Sequence, residues 1–575
     1  MRTLSPPKTL LWGLILLVGY FQRSSQAADS GANPYAPVPP PRSYAPERVA
    51  CPANLSVSTP STYPWPTSPA EQAYVTSKAA KSLNRWEEYL TRAKLTGFDV
   101  QAFLHNSTRD GGPVAGRNLP NVAFSLSGGG NRALLYAASI LDAFDARNPL
   151  AVQARTAGVL QLANFATGLS ASSWLLASWA DANFIRFPQL ANNAWRTAFN
   201  HHYFSWKRIK HYPRYYRDLR LKKKAGFHVS MVEDDPQAGR TLTLSSMRYK
   251  SEYLNHSFPF PILVTTSRKE EGIDIDLDSP IYEFTPEDIN VWHPSLNASF
   301  PIEFLGSQTG AVTNKATNCV IGFDNLGSGA SSNIFSYQVP NPFMGQGLGP
   351  VPGTGFPDGE REDLLLADGA MAQESMPLFP LLQPSRMVDV IMAVDSTVDN
   401  RAFDDPNQKG CSSSLSPIIS PSPNPLIREK LRAVPNGTSL YRTSLKLQQE
   451  GYRSYKFPEI PETYHNSTFT DRGYHRRPTF FGCDQDAPLV IYIPNHYVSH
   501  DTSQSTMQAV YTREDVQGFF QNGFYVATQT HPSQNDPEWP ACLACAIIDR
   551  QIARNRSPRT PQCAACFSKY CAASP

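Results

Sequence analysis

The chain has 575 residues, 41% of them hydrophobic, with 52 basic and 49 acidic side chains. That apolar content excludes a disordered chain and is enough for a large core. Residues 1–27 carry Arg2, Lys8 and Arg23 but no acid, so the remainder balances at 49 of each sign, which argues against a dedicated nucleic-acid binder.

In chain order, the first element is a secretory pattern. Arg2 and Lys8 precede the apolar run "TLLWGLILLVGY" (9–20), and "SSQAA" then offers small residues for cleavage. The run is short for a bilayer span. No later stretch is long and apolar enough to span, and the ending "KYCAASP" lacks the tail of a GPI signal. Residues 1–27 therefore predict a signal peptide and a secreted protein. Residues 28–68, rich in Pro, Ser and Tyr, predict an extended segment tied down at Cys51. Residues 69–575 read as one large domain with insertions, ending in a cysteine-rich tail over 540–575.

Export fits two further features. N-glycosylation sequons begin at Asn54, Asn106, Asn255, Asn297, Asn436, Asn466 and Asn555. Nine cysteines are present, and the last five crowd together as "CLAC…CAACFSKYC". Two C-x2-C pairs are compatible with a zinc ribbon. In an oxidising compartment thiols at this density form disulfides, and that is the expectation here. Nine is odd, so one thiol stays free or pairs between chains.

Within the large domain, 69–95 has helical spacing after Pro69. "NVAFSLSGGGNRALLYAASILDAF" (121–144) reads as strand, glycine turn, helix. "LANFATGLSASSWLLASWADA" (162–182) repeats that order. Such units belong to α/β architecture with ligands at the strand ends. The stretch "WKRIKHYPRYYRDLRLKKK" (206–224) reads either as a solvated face or as a surface leaning on anionic lipid. "SFPFPILVTTS" (257–267) and "MVDVIMAVDST" (387–397) predict buried strands, and 411–426 is a Pro/Ser loop.

Three stretches carry chemistry. "SGGGNR" (127–132) follows an apolar strand, and its glycines let backbone N–H groups converge as an oxyanion or phosphate cradle. A tight strand-to-helix turn is the alternative. Arg132, just beyond, could hold a phosphate with its planar fork. "GLSAS" (168–172) has the small residues that a nucleophile elbow needs on either side of Ser170. Ser170 could instead be one serine of a helix cap. "LLLADGAMAQESMPLFPLL" (364–382) puts Asp368 at the end of an apolar run. An aspartate with a pKa near ~4 takes a serine proton only when held against it in a partly dry site.

Taken together and in this order, "SLSGGGNRA", "GLSASSW" and "ADGAMAQESMPLFPL" resemble the fungal secreted lysophospholipase/phospholipase B family, whose catalytic domain is related to cytosolic phospholipase A2. The likeness continues through "PFPILVTTS", "IYEFTPEDINVWHPSLNASFPIEFLG", "NCVIGFDNLG", "CDQDAPLVIYIPNH" and "WPACLACAIIDR…CFSKYC". It implies an α/β fold with a central mixed sheet flanked by helices, of the patatin/cytosolic phospholipase A2 type, with insertions and a disulfide-rich C-terminal tail. It implies hydrolysis of fatty-acyl esters of (lyso)glycerophospholipids at a membrane or micelle surface, without cofactor, metal, nucleic acid or an obligatory protein partner. Ser170 matches the nucleophile and Asp368 the aspartate of a Ser-Asp dyad. Gly128 and Gly129 match the oxyanion-hole glycines, and Arg132 matches the arginine that meets the phosphate.

Some positions depart from the family's pattern. Ala171 replaces the glycine after the nucleophile. Ala370, Met371 and Ala372 replace the G-E-D run after the aspartate and its first glycine, and Asn131 stands where an aromatic is usual. Two other readings follow. One is a catalytically impaired lipid-binding homologue. The other is an α/β-hydrolase triad whose base would be His465, His475, His496, His500 or His531.

Overall fold

Apolar runs without polar alternation require strands covered on both faces. The computed structural model gathers such runs into one eleven-stranded sheet. It describes residues 45–108, 119–199, 217, 220–227, 243–268, 275–310, 314–324, 337–351, 354–369, 374–397, 435–464, 467–506 and 508–573. Residues 1–27, expected to be a signal peptide, lie outside these residues, as do Asn466, His465, the 411–426 stretch and most of the basic stretch.

The strands are β1 (Val122–Leu126), β2 (Phe165–Leu169), β3 (Phe260–Ser267), β4 (Ile281–Phe284), β5 (Asp288–His293) and β6 (Leu296–Pro301), followed by β7 (Tyr337–Pro340), β8 (Asp363–Ala367), β9 (Val390–Asp395), β10 (Thr479–Phe481) and β11 (Leu489–Pro494). Their order is β10-β11-β9-β1-β2-β3-β4-β5-β6, with β8 also on β3 and β7 on β8. The run from β11 through β3 is parallel, and every residue of these five strands is buried. The remaining pairings are antiparallel. The mixed α/β sheet expected from the sequence is thus present.

Seven helices matter most: α1 (Pro69–Lys81), α2 (Leu83–Ala93), α3 (Gly130–Ala143), α4 (Ala171–Asp181), α5 (Arg513–Thr528), α6 (Trp539–Arg554) and α7 (Pro561–Tyr570). The helical stretch after Pro69 divides at Ser82, whose hydroxyl donates to the Ala79 carbonyl. Helix α3 returns from the carboxyl end of β1 and packs along α5. A capping box at Thr512 and Asp515 starts α5.

The ends of the described chain are fastened to the sheet. Residues Glu47–Arg48 pair with Val320–Ile321 beside the Cys51–Cys319 disulfide. Ser58 exchanges both backbone hydrogen bonds with Ser299 of β6. At the other end, Cys542 and Cys545 are three residues apart and so share one face of α6; Cys563 and Cys566 do the same on α7. The two helices are stapled as Cys542–Cys566 and Cys545–Cys563. A fourth bond, Cys483–Cys571, ties the end of α7 beside β10, and Ala572 N–H donates to the Phe480 carbonyl. The tail is therefore a disulfide framework, and no cluster of three or more metal-ligating side chains occurs among the described residues. The ninth cysteine, Cys411, lies outside them.

A buried ion triad joins α1 to the sheet. Arg386, fully buried, forks onto Glu71 of α1 and Glu283 of β4, with four N–H···O contacts of 2.7–2.8 Å. Its guanidinium lies over the rings of Phe165 and Trp292. Removing one partner of a buried pair leaves uncompensated charge. We expect Arg386→Met to lower the unfolding free energy by about 3–5 kcal/mol in urea titration, and the triple change Arg386→Met, Glu71→Gln, Glu283→Gln to recover part of that loss.

Candidate active site

The site forms where β1, β2 and β8 meet. Strand β2 ends at Leu169, and Ser170 takes φ 57° and ψ −130° before α4 begins. A non-glycine residue in that region is strained, and such strain occurs at functional turns. Ser170 occupies the N-cap position but its hydroxyl makes no capping bond. Its Oγ has no hydrogen-bond partner among the described residues. The backbone therefore turns sharply at Ser170, and the side chain of this N-cap residue does not cap α4. Gly168 is required by contact: a Cβ there would lie 2.6 Å from the Ser172 carbonyl oxygen. Ser172 Oγ donates to the Ser127 carbonyl at 2.7 Å, tying the elbow to the glycine turn.

Strand register brings Asp368 to the same place. On one side of β3, β2 pairs up to Leu169 opposite Val264. The other side is occupied by β4 as far as Ile281 opposite Thr266. Strand β8 runs antiparallel to β3, with Leu366 opposite Ser267 and Ala367 opposite Thr266, so it must lie in the lane that β2 has just left. The two strands point at each other across the level of Thr265, whose Oγ1 donates to the Ala367 carbonyl at 2.7 Å. Ser170 is the next residue of one and Asp368 the next residue of the other. Gly369 completes the approach: a Cβ there would lie 2.5 Å from Leu169 Cδ1. Ser170 is 8% exposed and Asp368 5%, so the pair is shielded from bulk water.

The glycine turn lies alongside. A Cβ on Gly128 would come within 2.9 Å of Ser170 Cβ. Gly129, at φ 137°, would clash with the Ser396 carbonyl at 2.8 Å, and Gly130, at φ 69°, with the Thr506 carbonyl at 2.1 Å. Each glycine therefore admits a different neighbour. Gly128 N–H donates to the Ser375 carbonyl at 2.8 Å. This differs from the sequence expectation: Gly128 supplies room for Ser170, while its N–H is engaged elsewhere. The N–H groups of Gly129 and of Ala171, at the starts of α3 and α4, have no acceptor among the described residues.

Arg132 also differs from expectation. It is fully buried. Nε and Nη2 donate to the Ser396 carbonyl at 3.2 and 2.7 Å, and Nη1 donates to the Gln504 carbonyl at 2.6 Å. The guanidinium is a clamp behind the glycine turn, joining it to the segments that follow β9 and β11. Asp395, under the same clamp, has its carboxyl pushed up by burial, opposed by hydrogen bonds from Thr397 N–H and Tyr492 and by the charge of Arg132. Neither partner segment carries a motif that the sequence could reveal; the link exists only once β9 and β11 stand beside β1.

Residues 122–344 and 428–574 match the lysophospholipase catalytic domain family. The chain belongs to that family. It is accordingly an enzyme of the lipid ester hydrolase class. It is 29% identical to a lysophospholipase of Arthroderma benhamiae, covering 92% of this chain and 86% of that one. It is 28% identical to lysophospholipase 1 of Candida albicans, covering 92% and 89%. Among solved structures it resembles human GIVD cytosolic phospholipase A2, with a TM-score of 0.59 at 15% identity, over 86% of this chain and 67% of that one. At that identity the likeness speaks for the fold.

The remaining expected residues are more scattered. None of His475, His496, His500 and His531 is hydrogen-bonded to Ser170. His496 is buried, with Nδ1 2.9 Å from the Pro494 carbonyl, and burial pulls it down to about 4. His531 Nδ1 lies 2.7 Å from Ser533 Oγ. Asn54, Asn106, Asn255 and Asn555 are exposed and Asn436 is half-buried. Asn297 departs from its expected surface position: it lies inside β6 at 7% exposure, so the folded chain leaves no room for a glycan there. Lys222, from the basic stretch, is buried over the Phe323 ring rather than solvated.

The clamp reading of Arg132 has a direct check. Lysine keeps the positive charge but cannot span two carbonyls as a fork does. We expect Arg132→Lys to lower kcat on lysophosphatidylcholine by about 100-fold, the scale of a small misplacement of catalytic groups, with KM nearly unchanged. A headgroup ligand would give the reverse split.

Proposed function

We propose that the protein is a secreted lysophospholipase/phospholipase B that hydrolyses fatty-acyl esters of lysophospholipids, and of diacyl phospholipids, through a Ser170–Asp368 dyad. The observation that carries this reading is the shared lane beside β3, in which the residue after β2 and the residue after β8 converge at Thr265. A carboxylate in so dry a position can take a hydroxyl proton that it would leave untouched in water.

The reaction proceeds in two halves. Asp368 accepts the Ser170 proton as Oγ attacks the ester carbonyl. The oxyanion forms against the N–H groups of Gly129 and Ala171, where two helix starts add their positive dipole ends. The carbonyl–oxygen bond to glycerol breaks, and the leaving alkoxide takes the proton back from Asp368. Water, deprotonated by Asp368, then attacks the acyl-serine ester and releases the fatty acid, returning the proton to Ser170. Arg132 acts from behind by fixing the glycine turn. Secretion rests on the segment 1–27 and on the disulfide framework, with glycans on Asn54, Asn106, Asn255 and Asn555.

The structural neighbour has also been solved with methyl gamma-linolenyl fluorophosphonate, a serine-reactive probe suited to this chain. We expect such a probe to label the wild type and to leave Ser170→Ala unlabelled. Both Ser170→Ala and Asp368→Asn should lose lysophosphatidylcholine hydrolysis by at least about 1,000-fold, the scale seen when members of a nucleophile–base unit are removed. Alanine at His475, His496, His500 or His531 should leave turnover within a few-fold of wild type, since a dyad uses no imidazole. Full turnover by Ser170→Ala would overturn the assignment.

A further inference from the structure

Strands β7 and β8 extend outward from the catalytic edge. With about 3.3 Å per residue, the Pro340–Asp363 rung stands roughly 15 Å beyond Asp368, and the chain between the two strands folds back to the rim of the sheet, where Asp358 accepts from Ser267 Oγ at 2.9 Å and from the Tyr282 hydroxyl at 2.7 Å. The stretch 341–357, "NPFMGQGLGPVPGTGFP", contains no charged residue. Within it Met344, Leu348 and Val351 are 39%, 50% and 59% exposed.

This loop is built rather than slack. Phe343 and Phe356 are buried and hold its base, Phe343 against Tyr282 and Phe356 against His293. Backbone bonds run from Gly349 N–H to Thr354, from Phe356 N–H to Gly347 and from Gly345 N–H to Gly359. Gly347 fits only without a side chain, because a Cβ would lie 3.0 Å from Leu296 Cβ and from the Ser295 carbonyl. Ser295 lies in the turn between β5 and β6 and Leu296 opens β6, at the same edge of the sheet as Ser170, since His293 and Leu296 lie beyond the Trp292–Ile281 and Ile281–Thr266 rungs. The opposite flank of that edge carries Tyr497, 63% exposed, just past the end of β11.

Buried aromatic anchors under exposed aliphatic side chains are what an element meant to leave water would have. Large exposed apolar groups on an ordered, uncharged loop mark an interaction site. Insertion into a lipid surface rewards apolar area and penalises charge, and a tyrosine is well placed at such an interface. We propose that residues 343–351 anchor the protein to a lipid aggregate, with Met344, Leu348 and Val351 entering the acyl region and Tyr497 resting at the headgroup level on the other flank. The choice of a lipid surface over another occupant rests on the proposed function, because the loop lies at the edge of the sheet that holds Ser170. The lack of charge also means that zwitterionic lipid suffices.

The test uses the full-length protein and phosphatidylcholine vesicles. L348D/V351D is expected to sediment with vesicles at least tenfold more weakly than wild type, with an unchanged melting temperature, and V351W to bind more tightly. L150D, in the connection between α3 and β2 at the opposite edge, is expected to bind as wild type does. Turnover of L348D/V351D should fall on micellar lysophosphatidylcholine yet stay within twofold of wild type on a short-chain lysophospholipid kept below its critical micelle concentration. Equal vesicle binding by L348D/V351D and wild type, an equal loss in L150D, or no binding by wild type would each overturn the anchor. So would unchanged vesicle binding with an altered oligomeric state, which would assign the loop to a second copy of the chain. If wild type binds vesicles through this loop but hydrolyses neither substrate, the catalytic reading fails and the anchor stands.

Discussion

Two strands cannot occupy one lane of a sheet. Beside β3, β2 stops at Leu169 and β8 arrives from the other direction, stopping at Ala367. The chain must turn aside at both tips, and the turning residues are Ser170 and Asp368. Everything else around the site serves that collision. Gly168 lets Ser172 pass close beneath, Gly369 lets Leu169 pass close above, and Gly128 leaves space for the serine itself. The strained backbone at Ser170 is held by the helix it begins and by the Ser172–Ser127 hydrogen bond.

Around this point the protein spends buried polarity on position. Arg132 joins three segments by carbonyl contacts. Asn495 links Ser396 to Thr502, and Asn522 of α5 accepts from three successive N–H groups at Val498, Ser499 and His500. These side chains turn irregular backbone into fixed backbone without adding secondary structure. The backbone of the glycine turn is thereby fixed in place, and a preorganised backbone is the condition under which the proposed use of the Gly129 and Ala171 N–H groups needs no reorganisation.

Local pattern made part of this legible. The strand–turn–helix units at 121–144 and 162–182 are visible because apolar runs and glycines mark each boundary, and Asp368 stands out at a strand end. The antiparallel extension β4–β6 is not visible in the same way, because polar residues such as Glu283, Asp288, Asn290 and Asn297 interrupt its short strands and yet are buried there. The fork of Arg132 was legible as a fork but not as to its target, since Ser396 and Gln504 are brought near only by sheet order. Asn297 shows the same limit: a sequon is a local signal, whereas its burial depends on the neighbouring strands. The disulfide partners also required the fold, because two pairs at equal spacing can be joined in more than one way, and antiparallel helices select the nested one.

The two ends of the described chain occupy the two margins of the sheet. Ser58 completes the ladder outside β6, and the segment around Cys571 lies along β10. Each is secured nearby by a disulfide, Cys51–Cys319 on one side and Cys483–Cys571 on the other. An open margin is a template onto which foreign strands can add. Here a disulfide fastens the segment that covers each margin, so oxidation of four cysteines far apart in sequence guards the sheet against edge-to-edge pairing, and removing either covering segment would uncover a backbone ladder.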